Sequence, residues 1–499
     1  MTTRAANRST ADRSSGDRVS ADGRSTEDCS ADDRSPGSAP ATTASAGRRS
    51  RTAAPSADSD RSESGHLEFT GSTPTRSASA GSASAGTADR APDRTAIRTA
   101  LAGLPRVVDL LAARAEEHDR DATFPYQGIE AVHEAGLLTL TVSARYGGPG
   151  GTLADTVRVL SQLGRGDASV AVVTAFTLLR HAEQARRADW PTAGYRRLLA
   201  ESRRGPVLVN TLRAEPGTGV GELPATVARR DGDDWLLTGR KTYCAGAEAL
   251  AWMAVTARTD DEEPRIGTFL VRGESEGLEI DPTWDQLGLR ASASHDVVLD
   301  EVRVPGDLAL GLTAGRRTGR QGAGAGVESS RASEASRVSE ASEPSEAELS
   351  RAWHDLALSA VAIGVARAAE AWLIRFLSQR TPANLTEPLG TLPRYRTALG
   401  EIEAQLIGAE ELVEGLAPRV DRGEPEAVAR TGPAHLLATR AATAVVQQAV
   451  ALTGSPGLSR RHPLERYLRD VLSSRVHLAP DETVLEAAGR AALERGARP

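Results

Sequence analysis

The chain has 499 residues, but residues 1–93 hold one aromatic, Phe69, and one leucine, Leu67, and residues 311–350 hold no aromatic and carry a Ser-Glu run through Ser336, Ser339, Glu340, Ser342 and Glu343. Neither stretch can bury a core, so 1–93 reads as a disordered low-complexity tail and 311–350 as a disordered Ser/Glu/Gly-rich insertion, which leaves length for one large domain or two to three joined lobes. With 60 basic against 67 acidic residues the net charge is −7, so there is no global basic field to hold nucleic acid or an anionic membrane.

Two cysteines, Cys29 and Cys244, supply neither a disulfide framework nor a zinc cluster, and a cytoplasmic redox compartment fits them. No run is expected to supply the roughly 18 apolar residues of a membrane span. Lys241, the only lysine, reads as codon bias and is assigned no chemistry.

The tail repeat, 77–81 followed by 82–86, is linker material. From Ala96 the pattern turns helical: Leu101, Leu104, Val108 and Leu111, then Ile129 and Val132, then Leu153, Val157, Leu160 and Leu163. A glycine-rich turn at 145–151 separates two of these helices, and another helix is expected over 167–188. The first lobe is therefore an N-terminal helical domain, 94–203.

From Pro206 β-branched residues collect around 207–209, 226–228, 235–237, 253–255, 268–271 and 297–299, with Asp231-Gly232-Asp233 as a hairpin turn. This is a central antiparallel β-domain, 204–310. Beyond the insertion helix returns over 356–377, 398–416, 433–452 and from Asp481 to about Leu493, a C-terminal helical bundle of 351–495. The fold class is α+β.

Five segments in register resemble one family, the acyl-CoA dehydrogenases. They are Arg145-Tyr146-Gly147-Gly148-Pro149-Gly150; Ala214-Glu215-Pro216-Gly217-Thr218-Gly219; Gly239-Arg240-Lys241-Thr242-Tyr243-Cys244-Ala245-Gly246; Gly288-Leu289-Arg290-Ala291-Ser292 leading into Val302-Arg303-Val304-Pro305; and Gly454-Ser455-Pro456-Gly457 ahead of Arg469-Asp470. The resemblance implies a C-terminal four-helix bundle, FAD as cofactor and a homo-oligomer, dimer or tetramer. A flavin ring that gains negative charge needs backbone donors at close range, and small residues allow that approach.

The segment around Leu212, Ala214, Gly219 and Val220 would supply them, with Tyr243, Cys244 and Ala245 along the other edge. Ala214 and Val220 stand where the family has hydroxyls. By the same resemblance Gly454 and Gly457 lie near the pyrophosphate, or form an ordinary helix connection. Arg380 resembles the arginine that reaches the adenine side of FAD in a neighbouring subunit, and equally reads as a helix-end cation.

The customary catalytic glutamate is missing. Counted from Asp470, its place is held by Leu478, and the family's alternative place in the bundle helix is held by His354, followed by Asp355. Two histidines, His354 and His477, are thus the candidate acid–base residues. Asp481 or Glu482 could also approach, although Asp481 is better read as a helix cap.

The expected activity is oxidation of the CH–CH group of an acyl thioester, with an electron acceptor as partner. The runner-up is a monooxygenase using reduced flavin and O2 with a flavin reductase, since His477 also resembles the branch that includes dibenzothiophene monooxygenase. The third reading is an inactive scaffold. Cys244 reads as a buried strand residue, and no metal site is expected.

Overall fold

The computed structural model describes residues 91–218, 222–314, 343–476 and 480–496. The tail up to residue 90, most of the insertion, and the predicted site residues Gly219, Val220 and His477, with Leu478, lie outside the described residues.

Five helices come first. Asp93 accepts from Thr95 and Ala96 and caps α1 (Arg94–Asp121), which buries Ile97, Leu104, Val107 and Leu111. Helix α2 (Tyr126–Glu134) follows Pro125. Thr152 and Asp155 form a reciprocal capping box that starts α3 (Leu153–Gly166), and Asp167 caps α4 (Ala168–Arg187). A short α5 (Thr192–Glu201) leads to the sheet.

The strands are β1 (Leu208–Leu212), β2 (Val227–Asp231), β3 (Asp234–Lys241), β4 (Leu250–Thr259), β5 (Arg265–Arg272), β6 (Leu278–Asp281), β7 (Asp296–Val304) and β8 (Ala309–Ala314). The hairpin at Gly232 joins β2 to β3 as expected. The sheet is mixed rather than wholly antiparallel: β1 and β2 both run parallel to β4, along the edge that β5 leaves free. The reason is the path of the chain. The chain leaves the sheet after Leu212 and re-enters it at Val227 on the same edge of β4 and in the same direction.

The limits of the insertion also shift. β8 pairs with β5 up to Ala314, and α6 (Glu346–Gln379) begins inside 311–350, where Ser345 and Glu348 form a second capping box. The Ser-x-x-Glu spacing that starts a helix is present there, hidden in a Ser-Glu run of the same composition.

Helices α7 (Pro393–Asp421), α8 (Pro425–Thr453), α9 (Leu464–Ser473) and α10 (Asp481–Gly496) complete the bundle. Length and composition alone would let α6 cross a bilayer, contrary to expectation, but 78% of that stretch is buried inside the protein, against α3, α4, α7 and α8. The approach of α3 to α6 is backbone to backbone. A Cβ on Gly364 would lie 2.1 Å from the Ser161 carbonyl oxygen, and one on Gly164 would lie 2.6 Å from that of Val361.

Gly364→Ala is therefore expected to lower stability by about 1–3 kcal/mol through overpacking. Urea unfolding should show the loss as a lower midpoint with an unchanged slope.

Candidate functional site

Four of the motif segments meet through hydrogen bonds, three by their backbones and the fifth by the side chain of Asp470. Thr242 N donates to the Ala214 carbonyl at 3.0 Å, joining the second segment to the third; Gly246 N donates to Ser292 O at 2.8 Å and Ala247 N to Ala293 O at 3.0 Å, joining the third to the fourth. Leu289 N donates to Asp470 Oδ1 at 2.8 Å, joining the fourth to the fifth. Arg469 clamps the same corner with a bidentate pair to Asp119 of α1 at 2.8 and 2.6 Å and a bond to Leu287 O at 3.0 Å.

Underneath lies an ion pair that composition alone had dismissed. The Lys241 side chain is 0% exposed and that of Glu215 1%. Lys241 Nζ donates to Glu215 Oε1 at 2.5 Å and to the Thr256 carbonyl at 2.5 Å. Glu215 also accepts from Thr226 N, Thr226 Oγ1 and Ala225 N. Burial alone would push the Glu215 carboxyl up, but these donors outweigh it and hold it below its usual range. The pair pins the root of the excursion 213–226 to the end of β3.

Above it, Leu212 is buried and Ala214 exposed. Tyr243 adopts φ +57°, a left-handed backbone unusual outside glycine, and its side chain is 67% exposed. Cys244 lies beyond the end of β3, in the following turn rather than in a strand. Its thiol is buried, which pushes it up to about 12, so it is held as a thiol. Ala245 is buried, and Asn210 Nδ2 donates to its carbonyl at 3.1 Å.

Helix α4 forms the wall shared with the bundle. Its Val173 packs on the turn at Gly246, and the ring of Phe176 lies 6.5 Å from that of His354. His354 Nδ1 is 2.7 Å from the Ser350 carbonyl. A carbonyl only accepts, so Nδ1 carries the proton and Nε2 keeps its lone pair. Burial holds the imidazole below its ordinary pKa, with Arg213 and Arg186 also opposing protonation.

Asp355, its sequence neighbour, turns the other way. Thr431 Oγ1 of α8 donates to it at 2.8 Å, and burial pushes its carboxyl up to about 6. It therefore does not orient His354.

From His354 one face of α6 continues through Leu358, Val361, Ala362 and Val365 at helical spacing. Against Ala168 and Val172 of α4, and down to Asp470 and Ser474, it encloses an apolar cavity of about 10 Å³, room for roughly one water.

The remaining predicted residues lie elsewhere. α6 and α8 run parallel, since Asp355 pairs with Thr431 and Ser359 with His435 at the same offset of 76 residues. That offset sets Gly454 level with the last turn of α6, where Arg380 caps the helix end. Arg380 is roughly 39 Å along the helix axis from His354. Gly457 is small because a Cβ there would lie 2.3 Å from Thr453 Oγ1, and Gly454 because its φ is +65°. The helix connection accounts for both glycines. Arg380, Gly454 and Gly457 thus share one end of the bundle, and Leu212, Ala214, Tyr243, Cys244, Ala245 and His354 share the other.

Three sequence profiles of one family match in the order of the lobes: acyl-CoA dehydrogenase N-terminal domain over 106–191, middle domain over 212–302 and C-terminal domain over 356–482, together more than half of the chain. The chain belongs to the acyl-CoA dehydrogenase family. It is 29% identical over 394 residues to YdbM of Bacillus subtilis strain 168, named an acyl-CoA dehydrogenase, covering 78% of this chain and 95% of that one.

Among solved structures it is similar to KijD3 in complex with FMN and a dTDP-linked amino-keto sugar, with 25% identity, a TM-score of 0.67, and coverage of 81% of this chain and 95% of that one. It shares the fold of the dibenzothiophene monooxygenase TdsC of Paenibacillus sp. A11-2, in complex with FMN and indole, at 22% identity, a TM-score of 0.68, and coverage of 79% and 97%.

Sequence reasoning missed the Lys241–Glu215 pair, Asp470 as a junction and the environment of Tyr243. Two measurements follow. Lys241→Met should cost about 3–5 kcal/mol by stranding Glu215, and Lys241→Met with Glu215→Gln should recover part of it, read by chemical unfolding.

Asp470, which burial pushes up to about 7 against the opposing pull of Arg466 and Leu289 N, binds its proton more tightly folded than unfolded. Its contribution is complete below the ordinary carboxyl range and is lost as pH rises through 7. Asp470→Asn should therefore gain on the wild type in unfolding free energy between pH 5 and pH 8; an unchanged difference across that range would contradict the assignment.

Proposed function

We propose that this chain is a flavin-dependent oxidoreductase of the monooxygenase type, using reduced flavin and O2, with His354 as its acid–base group. The observation that carries the reading is the neutral imidazole of His354 in the place of a carboxylate base, with Asp355 turned away into α8. The family resemblance gives abstraction of the carbon-bound proton to a carboxylate, whereas the imidazole of His354, with its proton on Nδ1 against the Ser350 carbonyl, presents a neutral lone pair at Nε2. It is well suited to accept or hold a proton on a heteroatom at Nε2.

The residues present fit a flavin. The exposed Tyr243 ring offers a planar face beside the small side chains of Ala214 and Ala245, and its left-handed backbone is a strain of about 1–3 kcal/mol, which is retained where function needs it. Leu212, Ala214, Tyr243 and Ala245 would hold the ring system, with Cys244 as apolar support. When bound, a flavin supplies two-electron transfer and, once reduced, the electrons for O2 activation. The complexes of KijD3 and TdsC with FMN support this reading, and a separate flavin reductase is the partner it implies.

FAD would need Arg380, Gly454 and Gly457 from a second copy in a homo-oligomer, because they lie at the far end of the bundle in this one; FMN would need only the near end.

A second reading, dehydrogenation of a short acyl thioester, is favoured by the name of YdbM. Anaerobic addition of butyryl-CoA to the flavin-loaded protein separates the two. Bleaching of the flavin would establish the dehydrogenase, whereas no bleaching, together with oxygenation of a probe such as indole that requires this protein, a reductase, FMN, NADH and O2 together, supports the monooxygenase. His354→Ala should lower substrate turnover about 100-fold. Protein that binds neither FMN nor FAD would remove both readings.

A further inference from the structure

The exposed Tyr243 ring is held by a residue in neither the motif set nor the acid–base pair. His295, just before β7, uses its backbone and its side chain on two different partners. Its carbonyl accepts from Cys244 N at 3.0 Å, which fixes the peptide directly after Tyr243 and with it the left-handed turn. Its ring Nδ1 lies 3.1 Å from Trp284 N, in the loop between β6 and β7. Trp284 N–H can only donate, so Nδ1 is the acceptor and the ring proton of the neutral form resides on Nε2. Nε2 then donates to Glu248 Oε1 at 3.1 Å, in the turn that follows Gly246.

Trp284 is tied a second time, through Nε1 to the Leu289 carbonyl at 2.9 Å, and its ring meets that of Tyr243 edge to face at 6.4 Å. His295 is thereby the common anchor of both aromatic rings: one through the main chain, the other through the imidazole.

We infer that His295 is a positioning residue, which sets the Tyr243–Trp284 pair as a rigid aromatic wall and through it the seat of the flavin ring. The flavin half of this inference rests on the proposed function; the aromatic wall does not. The Nε2–H tautomer is required, because a proton on Nδ1 would oppose the Trp284 donor. Glu248 favours that tautomer by accepting from Nε2, and itself lies 3.5 Å from the Tyr126 hydroxyl of α2. A residue that only filled space here would tolerate any side chain of similar size. A residue that acts by accepting at Nδ1 is replaced best by asparagine, whose amide oxygen falls near that atom, and poorly by glutamine or alanine.

The test uses the full chain and has two arms. In flavin-free protein, near-ultraviolet circular dichroism reads the packing of Tyr243 and Trp284. His295→Ala and His295→Gln should lose aromatic signal, and His295→Asn should keep it, while far-ultraviolet spectra stay the same. An unchanged aromatic signal in His295→Ala overturns the inference. So does equal loss in the asparagine and alanine variants with the fold retained.

In the second arm FMN is titrated into the same proteins. His295→Ala should weaken binding about tenfold, the scale of one hydrogen bond in a desolvated site. Because the imidazole acts on Tyr243 by way of Trp284, whose ring packs on it, Tyr243→Ala with His295→Ala should bind no more weakly than Tyr243→Ala alone. Additive losses would overturn action through Tyr243. Wild-type protein that does not bind FMN or FAD would remove the proposed function, and the first arm would still decide the role of His295.

Discussion

A buried ion pair of two residues holds the site region in place. Lys241 and Glu215 are both removed from water, and such a pair persists only when further hydrogen bonds accompany it. Here Glu215 takes donors from Lys241, Thr226 and Ala225, and Lys241 takes the carboxylate and the Thr256 carbonyl. The arrangement has one solution. It sets where residues 213–226 leave the sheet and return, and so where Leu212 and Ala214 sit relative to Tyr243. Arginine could not replace the lysine, since its larger planar fork has no room in a site with no exposure.

The second constraint is the corner where the lobes meet. Asp119 at the end of α1, Leu287 and Leu289 before β7, and Arg469 and Asp470 of α9 belong to three different lobes and share one set of hydrogen bonds. Buried charges of this kind contribute little net stability, but they penalise any other arrangement heavily. The lobes are thus held in one relation by polar contacts, while α4 and α6 supply the apolar contact between them. The groove below His354 lies along that contact, bounded by Asp470 at its foot.

Much of the architecture was legible because it is local. Helices announced themselves through apolar spacing at Leu101 to Leu111 and Leu153 to Leu163, strands through β-branched runs, and the β2–β3 hairpin through Asp231-Gly232-Asp233. The five glycine-bearing segments were legible as a set, and three of them converge through backbone bonds; of the fifth only Asp470 reaches them, through its side chain, and the one at 145–150 packs by α4 and α5, where Tyr146 meets Tyr195 edge to face. What escaped depends on distant pairing. The parallel pairing of β1 and β2 with β4 is decided by an excursion whose path no short pattern encodes. His295, Trp284 and Glu248 come from three separate loops and carry no common spacing. Ser345 and Glu348 had a readable signal, the capping box, but it was buried in a segment of the same two residue types.

The distribution of the site along the bundle bears on its chemistry. Parallel α6 and α8 place His354 at one end and Arg380 with Gly454 at the other, too far apart to serve one cofactor from a single chain. The near end holds the aromatic wall, the small side chains and the imidazole. At the far end Arg380 closes the last turn of α6, and the two glycines turn the chain between α8 and α9. His354, with Asp355 turned away from it into α8, stands at the near end. The buried ion pair, the aromatic wall and this imidazole are thus gathered by the segments that follow β1, β3 and β6 onto one end of α6, while the chain between α8 and α9 occupies the other.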